Sequence, residues 1–307
     1  MKYFLDDINY QIKNNPQKFI NFCENEYHTQ LEKIARSIAD NASVAPVVLI
    51  SGPSGSGKTT TAMKLEALLD SWGIETHTIS LDNYFRELND EEFKLAKEGL
   101  LDLESPARLD KDYLNMQIRG FINCDSVDIP KYNFTTCKRE FSGWTLKRKV
   151  GEIIIFEGTH ALNPDVITVS DEKCARFYVS IRSQFVADKA ELRSKVIRLA
   201  RRMIRDQETR DRDLLDTFNM FSSVNKGEDE FIRPFMSRCN YSIDTIIPYE
   251  INIYRTLLLE NLHALPQTDD VKILIDVISK AEQLDPALVP SNSLMREFIG
   301  ESSLKYL

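Results

Sequence analysis

The stretch Val47-Val48-Leu49-Ile50-Ser51-Gly52-Pro53-Ser54-Gly55-Ser56-Gly57-Lys58-Thr59-Thr60 decides the fold. Its first four residues form an unbroken apolar run, as in a strand buried on both faces. Gly52 to Thr59 then fits G-x-x-x-x-G-K-[ST], and Met63, Leu65, Leu68 and Leu69 continue at helical spacing to about Trp72. Strand, glycine-rich turn and helix is the order a phosphate-binding loop requires. Glycines at 52, 55 and 57 let backbone N–H groups turn inward around phosphate oxygens, and the helix N-terminus adds partial positive charge. Lys58 is placed to reach the β- and γ-phosphates and the Thr59 hydroxyl to ligate Mg²⁺. The expected binding set is Gly52, Ser54, Gly55, Ser56, Gly57, Lys58, Thr59 and Thr60, and the expected ligand a nucleoside triphosphate with Mg²⁺.

Outward from this loop, short apolar runs recur at Thr76–Leu81, Glu152–Phe156, Arg176–Ile181 and Ser242–Ile247, with helical stretches between them. Alternation of that kind predicts a mainly parallel sheet covered on both faces, a three-layer α/β/α fold. Residues 129–150, where aromatic and polar side chains alternate around Gly143, read as an antiparallel hairpin on the edge of the sheet. The expected organisation is a helical arm over 1–43, a nucleotide-binding domain over 44–264 with the hairpin inserted at about 126–150, and a helical tail over 265–307. Phe298 and Leu304 in the tail read as core-docking residues, whereas residues 1–30 could cover the sheet, mediate a dimer or remain mobile.

The 307 residues carry 39 Lys+Arg against 47 Asp+Glu, a net charge of −8, which argues against broad binding to nucleic acid or anionic membrane. No stretch approaches the ~20 apolar residues of a membrane helix, and the acidic start Asp6-Asp7 does not fit a secretory signal. Five scattered cysteines without a Cys-x-x-Cys pair predict free thiols and a cytoplasmic protein. Four scattered histidines make a zinc site improbable.

Two acids end predicted strands, Asp82 after Thr78-Ile79-Ser80-Leu81 and Glu157 after Ile153-Ile154-Ile155-Phe156. Strand ends of a parallel sheet face the ligand crevice, so Asp82 is a candidate base for an attacking hydroxyl and Glu157 a candidate Mg²⁺ partner. Between Arg193 and Arg212, eight of twenty residues are Lys or Arg, and Arg198, Arg201, Arg202 and Arg205 recur at helical spacing. In an acidic chain this stripe reads as a lid, about 193–215, that neutralises the transferring phosphoryl group and excludes water. Asn225-Lys226-Gly227-Glu228 is a weak match to the guanine-reading N-K-x-D, with Glu in place of the expected aspartate, and leaves a regulatory nucleotide-binding protein as a third, less favoured reading.

Taken in order, Gly52–Thr60, Ser80-Leu81-Asp82-Asn83-Tyr84-Phe85, Glu104-Ser105-Pro106 to Asp110, Pro130-Lys131-Tyr132-Asn133-Phe134, Phe156-Glu157-Gly158 and Arg201-Arg202-Met203-Ile204-Arg205-Asp206 resemble the uridine kinase and phosphoribulokinase group of P-loop kinases. The tail Val289–Gly300 and the helix Glu26–Asp40 are similar to the kinase part of bacterial nucleoside kinases in which TGS and threonyl-tRNA-synthetase-like domains come first. The resemblance implies Asp82 as base and metal neighbour, with Lys58, Arg202 and Arg205 beside it in catalysis. It also implies Glu157 and Thr59 at Mg²⁺, and Arg210 and Arg212 around the phosphates of ATP. It implies Tyr84, Glu104 and Tyr132 at the acceptor, with Cys137 and Met220 where that group has a base-reading histidine and a glutamine. Asp211 replaces a glycine after the lid arginine. The function implied is transfer of the γ-phosphoryl of ATP to a primary hydroxyl, first the 5′-OH of a nucleoside such as uridine, alternatively a hydroxyl of another polyol or sugar phosphate. The implied partner is a small molecule, and a homo-oligomer is left open.

Overall fold

The computed structural model describes residues 1–97, 102 and 104–304. In chain order the strands and α-helices begin with β1 (Lys2–Phe4), α1 (Leu5–Asn14) and α2 (Pro16–Asp40). Asn15 starts α2, its side chain accepting a hydrogen bond from the Lys18 N–H, with Pro16 at the first helical position. Then follow β2 (Val47–Ser51), α3 (Lys58–Ser71), β3 (Thr76–Ser80), α4 (Asp90–Lys97), α5 (Lys111–Ile122), β4 (Ser126–Asn133), β5 (Lys138–Lys147), β6 (Ile153–Glu157) and β7 (Cys174–Ser180). The remainder is β8 (Gln184–Ala187), β9 (Ala190–Leu192), α6 (Ser194–Arg210), α7 (Leu214–Phe231), β10 (Tyr241–Asp244), α8 (Glu250–Leu262), α9 (Asp269–Ser279) and α10 (Arg296–Ile299).

Five strands pair in the order β10-β7-β2-β6-β3, every pair parallel. Every residue of β2 and β6 is buried, because helices cover both faces of the sheet. Alternate residues divide between two cores. Val48, Ile50, Ile153 and Ile155 join the core built with α2, α3, α6, α8 and α9. Val47, Leu49, Ile154 and Phe156 join the core built with α5 and the β4–β5 hairpin. The first core also takes Leu5, Ile8, Ile20, Tyr27, Leu31 and Ile38 of the N-terminal helices and Leu294, Met295 and Phe298 of the tail. The arm therefore covers the sheet, and Phe298 is fully buried while Leu304 is half-buried.

Three expectations change. The hairpin forms a two-stranded sheet of its own, with no strand pairing to the main sheet. It is held instead by side chains, among them Trp144 edge-on to His77. A second small sheet, β1-β8-β9, has β1 parallel to β8 and ties the start of the chain to the segment before α6. Finally, the first three turns of the arginine-rich α6 are core, with Ile197, Leu199, Ala200 and Met203 buried together with Arg198, Arg201 and Arg202. That part of the predicted 193–215 lid lies beneath the phosphate loop, not over the crevice as a cover. Residues 305–307 of the predicted tail lie outside the described residues. No α-helix among the described residues is long and apolar enough to cross a membrane, and all five cysteines are free.

Candidate functional site

The strand order reverses at β2, whose neighbours are β6 on one side and β7 on the other. Ligands of open parallel sheets bind outside the carboxyl ends of strands at such a point, and the loop 52–57 sits there. Gly52 is forced by space: a Cβ would lie 1.9 Å from the Val179 carbonyl oxygen. Gly57, which caps α3, has φ +83°, a left-handed conformation, and a Cβ there would meet Leu294 of the tail at 2.8 Å. Lys58 donates to the Pro53 carbonyl at 3.1 Å, curled back along its own loop.

The arginines of α6 hold this loop from below. Arg198 donates to the Ser54 carbonyl (2.9 Å) and to Glu228 (2.6 Å), which also accepts from the Ser54 N–H at 2.9 Å. Arg201 donates to the Gly55 carbonyl (3.3 Å), the Thr245 carbonyl (2.6 Å) and Glu250 (2.7 Å). Arg202 donates to the Ser54 hydroxyl. Side chains of the Arg198–Glu228 pair are 2% and 1% exposed, and those of Arg201–Glu250 are wholly buried. Glu228 and Asn225, the pair left over from the weak N-K-x-D match, thus serve Arg198, whose guanidinium also reaches the Asn225 amide oxygen at 3.4 Å. Sequence reasoning missed Glu228 and Glu250. No local pattern marks them, because each lies on a different helix from the basic stripe.

The last turn of α6 is arranged differently. Buried Asp206 accepts from Arg205 at 2.8 Å and lies 3.5 Å from Arg210 and from Arg212. The turn after α6 passes through Asp211 at φ +49°, one of the non-glycine types that tolerates the left-handed region. Three guanidinium groups share one carboxylate, so positive charge is in surplus here. Burial and the Arg205 charge push Arg202 down to about 10, and burial and the same charge lower Arg210.

Across the crevice, Asp82 follows β3 in a short 3₁₀ turn, its N–H bonded to the Ser80 hydroxyl at 3.3 Å. The residue is exposed, yet the surrounding protein raises its pKa against the pull of Lys58 and Arg210. Glu157 pairs with Ser80 across β6 and β3. Burial first, then the charge of Asp82, pushes it up to about 7. Glu104 is raised by burial against the pull of Arg202, and its backbone carbonyl meets His160 Nε2 at 3.0 Å. Tyr132 packs edge-on to Phe85 and Phe134, with ring centroids 5.6 and 5.2 Å away. Cys137 lies in the hairpin turn with its thiol 3.5 Å from the Phe134 carbonyl.

One expected acceptor residue is placed elsewhere. Tyr84 is a core residue, fully buried, its hydroxyl donating to Gln117 at 2.6 Å while its ring packs near Phe156. An aromatic beside a catalytic-type acid reads the same whether it turns inward or outward. Met220 lies on α7, 39% exposed.

The buried Ser56 hydroxyl and Arg202 Nε have no hydrogen-bond partner, so the loop and α6 present polar groups that phosphate oxygens would satisfy. For a divalent ion, Thr59, Asp82 and Glu157 offer hard oxygen donors. No group of three or more His, Cys, Asp or Glu side chains among the described residues could hold a metal alone. Phosphate oxygens would therefore complete the shell, the usual arrangement for Mg²⁺.

Two buried titratable groups pull stability in opposite directions. Glu157 ordinarily titrates at 4.5 and here at about 7, so its contribution is present below pH 4.5 and lost as pH rises through 7. Burial lowers His160 from 6.5 to about 4, so its contribution is present above pH 6.5 and lost as pH falls through 4. In the nucleotide-free protein, Glu157→Gln should lose stability on acidification and His160→Gln on alkalinisation across this window. Denaturant midpoints at a series of pH values would show it, and parallel curves for both variants would refute it.

A parallel sheet with this loop at its reversal point places the chain in the P-loop class of nucleotide-binding proteins. Within that class it belongs to the Phosphoribulokinase / Uridine kinase family, whose profile matches residues 47–251, and it is accordingly a kinase of P-loop type. The chain is 27% identical over 212 residues to the uridine kinase of Halobacterium salinarum, covering 69% of this chain and 83% of that protein. It is 28% identical over 210 residues to uridine-cytidine kinase 2-B of Danio rerio, covering 65% and 71% respectively. Among solved structures, one from Silicibacter sp. TM1040, described as a proposed fructose transport system kinase, superposes with a TM-score of 0.52 at 14% identity. It covers 69% of this chain and 98% of its own, and shares the fold.

Proposed function

We propose that the protein transfers the γ-phosphoryl group of ATP, with Mg²⁺, to a primary hydroxyl of a small sugar-bearing acceptor. The observation that carries this is the meeting of Lys58, Asp82 and Glu157 at the ends of three adjacent parallel strands, close enough for the Lys58 charge to act on both carboxylates and the Asp82 charge on Glu157. The loop amides and Lys58 would hold the phosphates, and Arg202, Arg205, Arg210 and Arg212 would face the charge that spreads over the transferring group. Bound Mg²⁺ would neutralise charge on the β- and γ-phosphate oxygens. Asp82, raised toward neutrality, is tuned to accept the proton of the attacking hydroxyl. The hydroxyl oxygen bonds to the γ-phosphorus as the bond to the β–γ bridging oxygen breaks, and ADP leaves.

For the acceptor, the first reading is the 5′-hydroxyl of a nucleoside such as uridine, supported by the names of the relatives and by Tyr132 and Glu104. A second reading, an acceptor with its own negative charge, is favoured by Arg108, a buried arginine beside Phe85 and the Tyr132 hydroxyl that has no ion pair among the described residues. A cytoplasmic location accompanies the proposal, supported by the five free thiols. Acceptor-dependent release of ADP, assayed with a panel of nucleosides, sugars and sugar phosphates, tests the kinase assignment. ADP release no greater with any acceptor than without one would end it.

A further inference from the structure

Arg108 ends a short 3₁₀ turn (Pro106–Arg108) and is 6% exposed. Its backbone is fixed by the segment after Asp82, since the Arg86 N–H donates to the Arg108 carbonyl at 2.7 Å and Phe85 bridges Leu109. The side chain turns into the aromatic cluster beside the proposed acceptor site. Its guanidinium lies 5.9 Å from the Phe85 ring centroid, beside the Tyr132 hydroxyl, and donates through Nη2 to the Arg86 carbonyl at 3.3 Å. Nη1 is buried without a partner, and no carboxylate among the described residues forms an ion pair with Arg108.

A buried guanidinium left with one ring, one carbonyl and the Tyr132 hydroxyl is costly unless something anionic completes it. Among the other buried arginines, Arg198 and Arg201 each pair with a buried glutamate, and Arg148 donates to four backbone carbonyls. Arg108 touches Phe85 and Tyr132, which pack with Phe134, and this cluster is joined to the Asp82 turn by the Tyr132 N–H, which donates to Asn83 at 3.4 Å. A cation therefore lies beside Tyr132, the aromatic that the proposed function places at the acceptor.

We infer that Arg108 is a specificity-determining residue that selects an acceptor bearing an anionic group, a phosphate or a carboxylate, at the end remote from the hydroxyl that Asp82 serves. The inference rests on the kinase reading above and decides between its two acceptors. A planar guanidinium suits either anion, since both accept two parallel N–H donors. Sugar phosphates and hydroxy acids meet the requirement, and uridine and cytidine do not.

The test measures MgATP-dependent ADP release with uridine, cytidine and ribose against ribulose 5-phosphate, fructose 6-phosphate and glycerate. The expected result is turnover confined to the anionic set. Arg108→Met should raise KM for the acceptor used by roughly 10- to 100-fold, as loss of a charged hydrogen bond does, with kcat little changed, and Arg108→Lys should fall between. Efficient use of uridine or cytidine, or an unchanged KM in Arg108→Met, overturns the inference. A second measurement needs no turnover: with the loop saturated by MgADP, inorganic phosphate should raise the thermal midpoint of the native protein but not of Arg108→Met. Equal shifts overturn the inference. If the phosphate effect depends on Arg108 while no acceptor yields ADP and ATP fails to bind, it is the kinase reading that falls.

Discussion

Replacing Asp82 by Asn should lower kcat for acceptor-dependent phosphoryl transfer by about 10²- to 10⁴-fold, the range for loss of a general base. The substitution keeps the shape of the side chain and removes its ability to take a proton. ATP affinity should hold or tighten, because a negative charge leaves a site about to receive a tetra-anion. Steady-state kinetics paired with equilibrium nucleotide binding separate these effects. Full turnover in the variant would show that the hydroxyl loses its proton elsewhere, and a parallel loss of ATP binding would make Asp82 structural. The pH profile adds a signature: the native rate should fall on the acid side at a pH above that of an ordinary aspartate, since crowding raises this carboxyl.

The second large effect concerns stability. Arg201→Met alone, or Glu250→Gln alone, should cost about 3–5 kcal/mol, because each leaves an unpaired charge where neither side chain touches solvent. The pair is tied further by the Tyr254 hydroxyl, which donates to Glu250, and by the Phe298 ring 4.9 Å from the Arg201 guanidinium carbon. Urea unfolding measures the loss. The double variant Arg201→Met, Glu250→Leu should recover most of it, since a packed apolar pair needs no desolvation of ions. It should still bind ATP more weakly, because Arg201 is also the donor that holds the Gly55 carbonyl. Single variants that lose less than about 1 kcal/mol, the scale of an exposed ion pair, would show that the charges are solvated.

These two cases mark what could be read in the chain and what could not. The loop, its strand and its helix are local: every determinant from Val47 to Leu69 lies within one helical or strand period of the next, so pattern and spacing suffice. Asp82 and Glu157 were legible because both end apolar runs, and a parallel sheet sends such ends to one crevice. The arginine stripe was misjudged in its first half because charge periodicity gives the face and not what lies against it. The partners Glu228 and Glu250 stand 30 and 49 residues away, with nothing local to announce them. Tyr84 failed for a related reason, since its partner Gln117 is 33 residues distant. The sheet joining β1 to β8 and β9 was invisible because strands of three or four residues carry too little alternation to register.

The tail has a bearing on how the protein is made. Glu297 accepts hydrogen bonds from the Thr60 N–H at 3.2 Å and the Thr60 hydroxyl at 2.5 Å, at the first turn of α3, while Leu294 packs on Gly57. A helix start needs acceptors for its free N–H groups, and this one is supplied from 237 residues later in the chain. On a ribosome the loop emerges 237 residues before its cap, so the anion-binding end of α3 stays unfinished until that segment is made. A nascent chain stalled before residue 297 would carry a phosphate loop with an open helix end, and the segment that finishes it would be the last part of the first core to arrive.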